Sequence, residues 1–203
     1  MSAGISAPAI VAVIVGGVLL VVATVMALRP RAVDGGLGWM VIATSAYCIL
    51  GLAAALRLPA SDGLRAAAMQ LLALALVVVL AVQYGPRKGS EEAPSQGLAS
   101  AARAVSWMTL LGLPPTVGFH AKVMLYRALL NAGWGGLAAL AIAAAAVGIL
   151  PALWALSSPP PLPLKGARAI IAVALIVAIL VLGLYPQLAL SLADLAESVT
   201  KSG

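Results

Sequence analysis

Apolar residues in this chain fall in long unbroken runs, and the polar positions collect between them instead of alternating with them. A run of about 20 apolar residues is what an α-helix needs to cross a hydrocarbon core at ~1.5 Å per residue. Six such stretches can be drawn, each bounded by charge, proline or glycine: residues 8–28, 38–58, 64–84, 98–130, 136–156 and 168–186. The pattern predicts an all-α polytopic membrane helical bundle of about six transmembrane helices, forming one membrane domain over 1–203. The fourth stretch differs from the others. At 33 residues it is too long for a single straight crossing and fits two half-helices joined at Pro114 and Pro115. Pro151 near the end of the fifth stretch predicts a kink there, freeing the carbonyl of Val147.

Between the runs, Gly85 to Gly97 reads as a solvated loop carrying Arg87, Lys88, Glu91 and Glu92. Ser157 to Leu164, with four prolines, reads as an extended polyproline-like connector. The tail 187–203 places Leu188, Leu192, Leu195 and Val199 at helical spacing, with Asp194 and Glu197 among them. This resembles a short interfacial helix. The first run has no positive residue before it and is followed by Arg29 and Arg31, which suits a spanning helix better than a cleaved presequence.

Composition agrees with the pattern. Of 203 residues, 63% are hydrophobic and 9% charged, and the mean hydropathy of +1.11 lies far from that of soluble domains. The chain reads as an integral, multi-pass protein of a lipid bilayer. Its net charge of +6 does not point to nucleic acid, because the basic residues stand singly in short loops and form no stripe. They act instead as topology signals. The loops after the first, third and fifth helices hold Arg29, Arg31, Arg87, Lys88, Arg103, Lys165 and Arg168, seven in all. The other face holds Arg57, Arg65, Arg127 and Lys201, four in all. By the positive-inside rule, six crossings then put both termini outside. The single cysteine, Cys48, allows no internal disulfide and no multi-cysteine metal site. No metal-ligand cluster, phosphate loop, haem motif or catalytic triad is present in the sequence, so no catalytic residue, metal or cofactor is assigned.

The candidate chemistry lies in Gly112 to Arg127, GLPPTVGFHAKVMLYR. Pro114 and Pro115 lack amide hydrogens, so the carbonyls of Leu110 and Leu111 lose their helical partners, at about 3 kcal/mol or more per site in an intact helix. Gly112, Pro114, Pro115 and Gly118 therefore mark a helix break, tolerable in a membrane only when buried in protein or lining a wet cavity. Lys122 follows two turns later, while every acidic residue (Asp34, Asp62, Glu91, Glu92, Asp194 and Glu197) lies outside the spans. A lysine at that depth must shed its proton, meet water or find a partner on another chain, and a lysine poised between its two forms suits a proton relay. The plainer reading is snorkelling to the headgroups, but Lys122 is roughly 12 Å along the axis from Leu130, too far for an easy reach.

His120, the sole histidine, lies about 200° around the helix from Lys122, on the face of Met124 and Arg127. It is either a second relay group on a water chain or a packed, satisfied residue. Tyr126, one turn from Lys122 on the same face, is a candidate hydrogen-bond donor, and Arg127 reads as a headgroup anchor. Thr24, Thr44, Ser45, Tyr47 and Gln70 add polarity to the first three helices and read as links between helices.

With these residues placed, the chain resembles the antiporter-like subunits of respiratory complex I and its relatives, among them membrane-bound hydrogenases and multisubunit sodium/proton antiporters. The family's pattern of Gly-Ile/Leu-Pro-Pro, Gly-Phe and Lys stands here as Gly112-Leu113-Pro114-Pro115, Gly118-Phe119 and Lys122. Ala46-Tyr47-Cys48-Ile49-Leu50-Gly51-Leu52-Ala53 is similar to the family's Gly-Tyr…Gly-Leu-Ala helix, and Leu182-Gly183-Leu184-Tyr185-Pro186 to the turn closing its last helix. The resemblance implies the second inverted repeat plus the final helix, with no counterpart here to the first repeat. Thr44 stands where the family commonly has histidine, Asp34-Gly35 where it has Lys-Arg, and the tyrosines of its penultimate helix are absent around Leu150–Trp154.

What the resemblance implies is a shortened subunit of the N type in a complex-I-like proton-translocating oxidoreductase (NADH-quinone oxidoreductase) of a prokaryotic cell membrane. Such a chain is a non-catalytic part of a translocase, with the redox centres on other subunits. It supplies part of a proton path through Lys122, beside other membrane subunits, one of which donates a carboxylate. Two other outcomes fit the motifs: a structural subunit that no longer carries protons, and a subunit of a sodium/proton antiporter.

Overall fold

A computed structural model describes residues 6–29, 36–58, 62–84, 96–157, 164, 166–188 and 190–191. The loop 85–95, the proline run 158–163, the tail from 192 and the basic residues Arg31, Arg87, Lys88, Lys165 and Lys201 lie outside the described residues, as does every acidic residue except Asp62.

The described chain is helical throughout: α1 (Ala7–Ala27), α2 (Gly36–Arg57), α3 (Gly63–Tyr84), α4 (Gln96–Leu111), α5 (Val117–Asn131), α6 (Gly135–Val147), α7 (Ile149–Ser157) and α8 (Ala167–Leu184). Five stretches are long and apolar enough to cross a membrane: α1, α2, α3, the α6–α7 pair spanning Gly135–Ser157, and α8. The sixth apolar stretch is divided into α4 and α5. α1 opens with proline in its first turn, where a missing amide costs nothing. The fifth span is interrupted at Gly148, three residues ahead of Pro151. There the absent proline amide leaves Val147 without its helical partner.

The exterior is apolar. Val11, Ile14 and Val18 on α1 and Ile170, Val173 and Val177 on α8 are exposed, as the lipid-facing surface of a membrane bundle requires. The interior holds the polarity: Thr24, Thr44, Gln70, Ser106, Thr109, Thr116 and Lys122 are all buried. Most of the hydroxyls satisfy themselves locally. Thr24 donates to Leu20, Thr44 to Met40, Ser45 to Val41, Ser106 to Ala102 and Thr109 to Val105, each to the carbonyl one turn earlier. The expectation that Thr24, Thr44 and Ser45 link helices is thus corrected, because an i−4 carbonyl is always within reach of a helical hydroxyl and needs no neighbour. Tyr47 does link helices, donating to the Ala141 carbonyl of α6 at 3.0 Å.

Small residues set the spacing of the bundle. Gly51 of α2 lies against Gly63 and Ala67 of α3, and Gly16 of α1 against Leu50 of α2. α5 lies at the centre. Its Leu125, Ala128 and Leu129 join a core with α1, α2 and α6, and its Val117 and Ala121 join a second core with α3, α4 and α8. Lys122 stands between the two.

Candidate functional site

The break between α4 and α5 is built from groups that the two prolines leave unpaired. α4 ends at Leu111, Gly112 takes a left-handed φ of 72°, and the Gly112 and Leu113 amides turn back to the carbonyls of Thr109 and Met108. The Pro114–Pro115 peptide is cis. Thr116 caps the turn by donating to Leu113, and α5 begins at Val117.

Three glycines make the turn fit. A side chain at Gly112 would place its Cβ 2.6 Å from Cδ of Lys122, so the bare backbone there is what lets the lysine stem fold back over the break. Gly118 lies directly against the Thr109 carbonyl, allowing the first turn of α5 to overlap the last turn of α4. Gly183 of α8 lies directly against the Pro115 carbonyl and covers the break from another side. Thr116, Val117 and Gly118 are buried, whereas Leu113, Pro114 and Pro115 are exposed on the surface of this chain, so its own helices cover the break only in part.

Lys122 is 2% exposed, and its Nζ donates to the Leu111 carbonyl at 2.8 Å. That carbonyl is one of the two orphaned by Pro114 and Pro115. The same nitrogen lies 4.6 Å from the centroid of the Tyr47 ring, within range of a cation–π contact. The hydroxyl of that ring is the one bonded to Ala141, so Tyr47 connects the lysine to α6. No carboxylate of this chain meets Lys122 among the described residues. Asp62 lies instead 4.0 Å from Arg127 at the end of α5.

The other candidates sit elsewhere. His120 turns away from Lys122, and its Nε2 bonds the Gly183 carbonyl of α8 at 2.7 Å, the packed arrangement that its place on the helix allowed. Tyr126 is half-buried against the core containing Tyr47, and its hydroxyl is not the donor that meets Lys122. Tyr47, read from the sequence only as a link between helices, is therefore the missed partner of the lysine. Its signal was an aromatic hydroxyl in the middle of an apolar span, and nothing local tied it to a residue 75 positions away.

No family model matches the chain. Among curated proteins it is 35% identical over 138 residues to NADH-quinone oxidoreductase subunit N 1 of Solidesulfovibrio magneticus, covering 60% of this chain and 29% of that protein. It is 31% identical over 136 residues to NADH-quinone oxidoreductase subunit N of Desulfovibrio desulfuricans, covering 57% and 26%. Among solved structures it superposes on a chain of the Mrp complex from a Dietzia species with a TM-score of 0.69 at 26% identity, covering 91% of this chain and 46% of that one. On a chain of respiratory complex I from Thermus thermophilus with bound aureothin the TM-score is 0.65 at 26% identity, covering 89% and 44%. The chain thus spans less than a third of the curated relatives and less than half of the structural ones.

Proposed function

We propose that this chain, similar in sequence and fold to the antiporter-like membrane subunits of complex I and Mrp complexes, serves as a subunit of a proton-translocating membrane complex. Within it, Lys122 carries one step of the proton path. The observation that supports this most is a lysine with 2% exposure, placed at a helix break inside an apolar bundle and bonded to a carbonyl that the break itself releases. Burying an ionisable group at such depth is costly unless it serves transport or is firmly paired. A single carbonyl and a ring face hold the amine without neutralising it, so it can gain or lose a proton without first breaking a salt bridge.

The mechanism is electrostatic. A change of charge on an adjacent subunit alters the proton affinity of Lys122, which takes up a proton from one face and releases it to the other. A carboxylate that approaches from the neighbouring subunit would complete the site. Oxidation and reduction belong to other chains of the complex.

A structural role is the second reading, and one observation favours it. Through its bond to Leu111 and its contact with Tyr47, Lys122 ties α5 to α4 and α2, which would hold the break closed even without proton transfer.

Purification of the tagged chain from its native membrane, with mass spectrometry of what remains bound, tests the assignment to a complex. Companions bearing iron–sulfur and quinone-site sequences are expected. Antiporter-type subunits alone would move the function to ion exchange, and a chain that purifies without partners would overturn the proposal.

A further inference from the structure

Gln70 on α3 is 2% exposed, and neither its amide nitrogen nor its amide oxygen has a hydrogen-bond partner among the described residues. A buried primary amide has two donor hydrogens and a carbonyl acceptor. Leaving all of them unmet is rare in proteins, where such groups are paired or bridged by buried water. Its neighbours on α3 do not need it for packing alone, since the helix already fits α2 through Gly63 and Ala67.

The register of α3 against its neighbours fixes where the amide lies. On α2, Gly51 faces Ala67, and the two helices are antiparallel. Tyr47 is one turn back from Gly51 and Gln70 is three residues on from Ala67, about 6 Å and 4.5 Å in the same direction, so the two share a level. Against α5, Asp62 at the start of α3 meets Arg127 near the end of α5, and Ala66 shares a core with Leu125 while Met69 and Ala73 share one with Val117 and Ala121. Lys122 falls between these last two levels, within about a turn of Gln70.

The angular position agrees. With Ala67 facing α2 taken as zero, Ala66 and Ala73, which share cores with α5 residues, lie at about 260° and 240°, and Gln70 lies at about 300°, between them and the α2 face. Gln70 therefore points into the seam between α2 and α5, where Nζ of Lys122 sits against Tyr47.

From this juxtaposition we infer that Gln70 is a water-binding residue. Its amide holds a water molecule beside the Lys122 amine, and that water hands protons to and from the lysine. The inference deepens the proton-path reading and rests on it for the role of the water, though not for its presence. Three partners suit such a water: the Gln70 amide, the lysine nitrogen and the face or hydroxyl side of Tyr47. Glutamine suits the site because it donates and accepts without a charge of its own, so it orients the water in either protonation state of Lys122. The Thr44 hydroxyl on α2 has its one donor hydrogen committed to the Met40 carbonyl, whereas both donor hydrogens of the Gln70 amide are free among the described residues.

The test is a cryo-EM map of the assembled complex at a resolution that shows ordered water, recorded for the unchanged chain and for Gln70→Leu, with proton translocation measured on both. The expected result is density within hydrogen-bond reach of both the Gln70 amide and Lys122 Nζ in the unchanged complex. In Gln70→Leu that density is lost, and translocation falls at least fivefold at unchanged subunit content, while Gln70→Asn recovers part of it. A dry Gln70, or one bonded to a side chain of a neighbouring subunit, overturns the inference, as does normal translocation by Gln70→Leu. Should Gln70→Leu fail to assemble, the map of the unchanged complex and the translocation of Gln70→Asn, expected below normal, decide the matter. If Lys122→Ala translocates normally while the water is present, the proton path is wrong and the water site stands.

Discussion

Gly112 and Tyr47 show how single residues set up Lys122. At Gly112 an added methyl group meets two obstacles, a left-handed backbone and the lysine stem 2.6 Å away. The backbone alone costs about 1 kcal/mol, and the stem must also move. Gly112→Ala is expected to lower the midpoint of thermal unfolding in detergent, while Gly97→Ala, within α4 at a site with open space around it, does not lower it. Equal melting of the two would contradict the tight fit. Tyr47 separates into ring and hydroxyl. Tyr47→Phe keeps the ring against Lys122 and loses the bond to Ala141, a loss of about 1 kcal/mol of stability with translocation retained. Tyr47→Leu removes the ring, and translocation is expected to fall severalfold; if both variants translocate equally, the ring has no part in the site. At this scale the sequence was half legible. Two adjacent prolines release two particular carbonyls, and that release was written locally, but the seat of Lys122 on the Leu111 carbonyl was not, since the sequence pointed to water or another chain as its partner. The tyrosine partner, the unpaired Gln70 and the His120 bond to Gly183 depend on which helices become neighbours, and no local pattern encodes that.

The divided fourth span is the central element, and its length with a double proline made it readable from the chain. What the chain did not reveal is how the break is covered. α8 comes in against the Pro115 carbonyl at Gly183 and offers its own carbonyl to His120, and at its other end Arg168 donates to the carbonyls of Val82 and Gln83 on α3. The last helix is thereby held at both ends, with the break beneath one of them. A side chain at Gly183 has nowhere to go, since its Cβ would overlap peptide atoms of Pro115 and Thr116. Gly183→Val is expected to destabilise the chain by about 1–3 kcal/mol or more, as overpacking of a rigid contact does. It should also raise proteolysis near 112–118 in detergent. Protection equal to that of the unchanged chain would mean that α8 does not seal the break. The fifth span follows similar logic with a different outcome. Pro151 predicted a kink, and the helix divides at Gly148, where the Cβ of any other residue would press at 3.0 Å on Leu111 and Met40.

Across the whole molecule, an apolar shell surrounds a core with seven buried polar or charged residues among those described. Long apolar runs announced the shell, and the lone lysine within one of them announced the core, whereas the order in which helices pack had to come from the folded chain. The arginine and lysine count gives the expectation that Arg29 lies on the inner face and Leu58, after α2, on the outer one. With Cys48, buried in α2, replaced by alanine, a cysteine at Leu58 should react with an impermeant thiol reagent added outside intact cells, and one at Arg29 only after permeabilisation. The reverse pattern would invert the path. The central claim is that Lys122 moves protons in an assembled complex, and proton translocation per turnover by Lys122→Ala tests it most directly. A severalfold loss at equal subunit content is the predicted result, with Lys122→Arg equally impaired because a guanidinium does not release its proton. Normal translocation by a fully assembled Lys122→Ala complex would contradict the account.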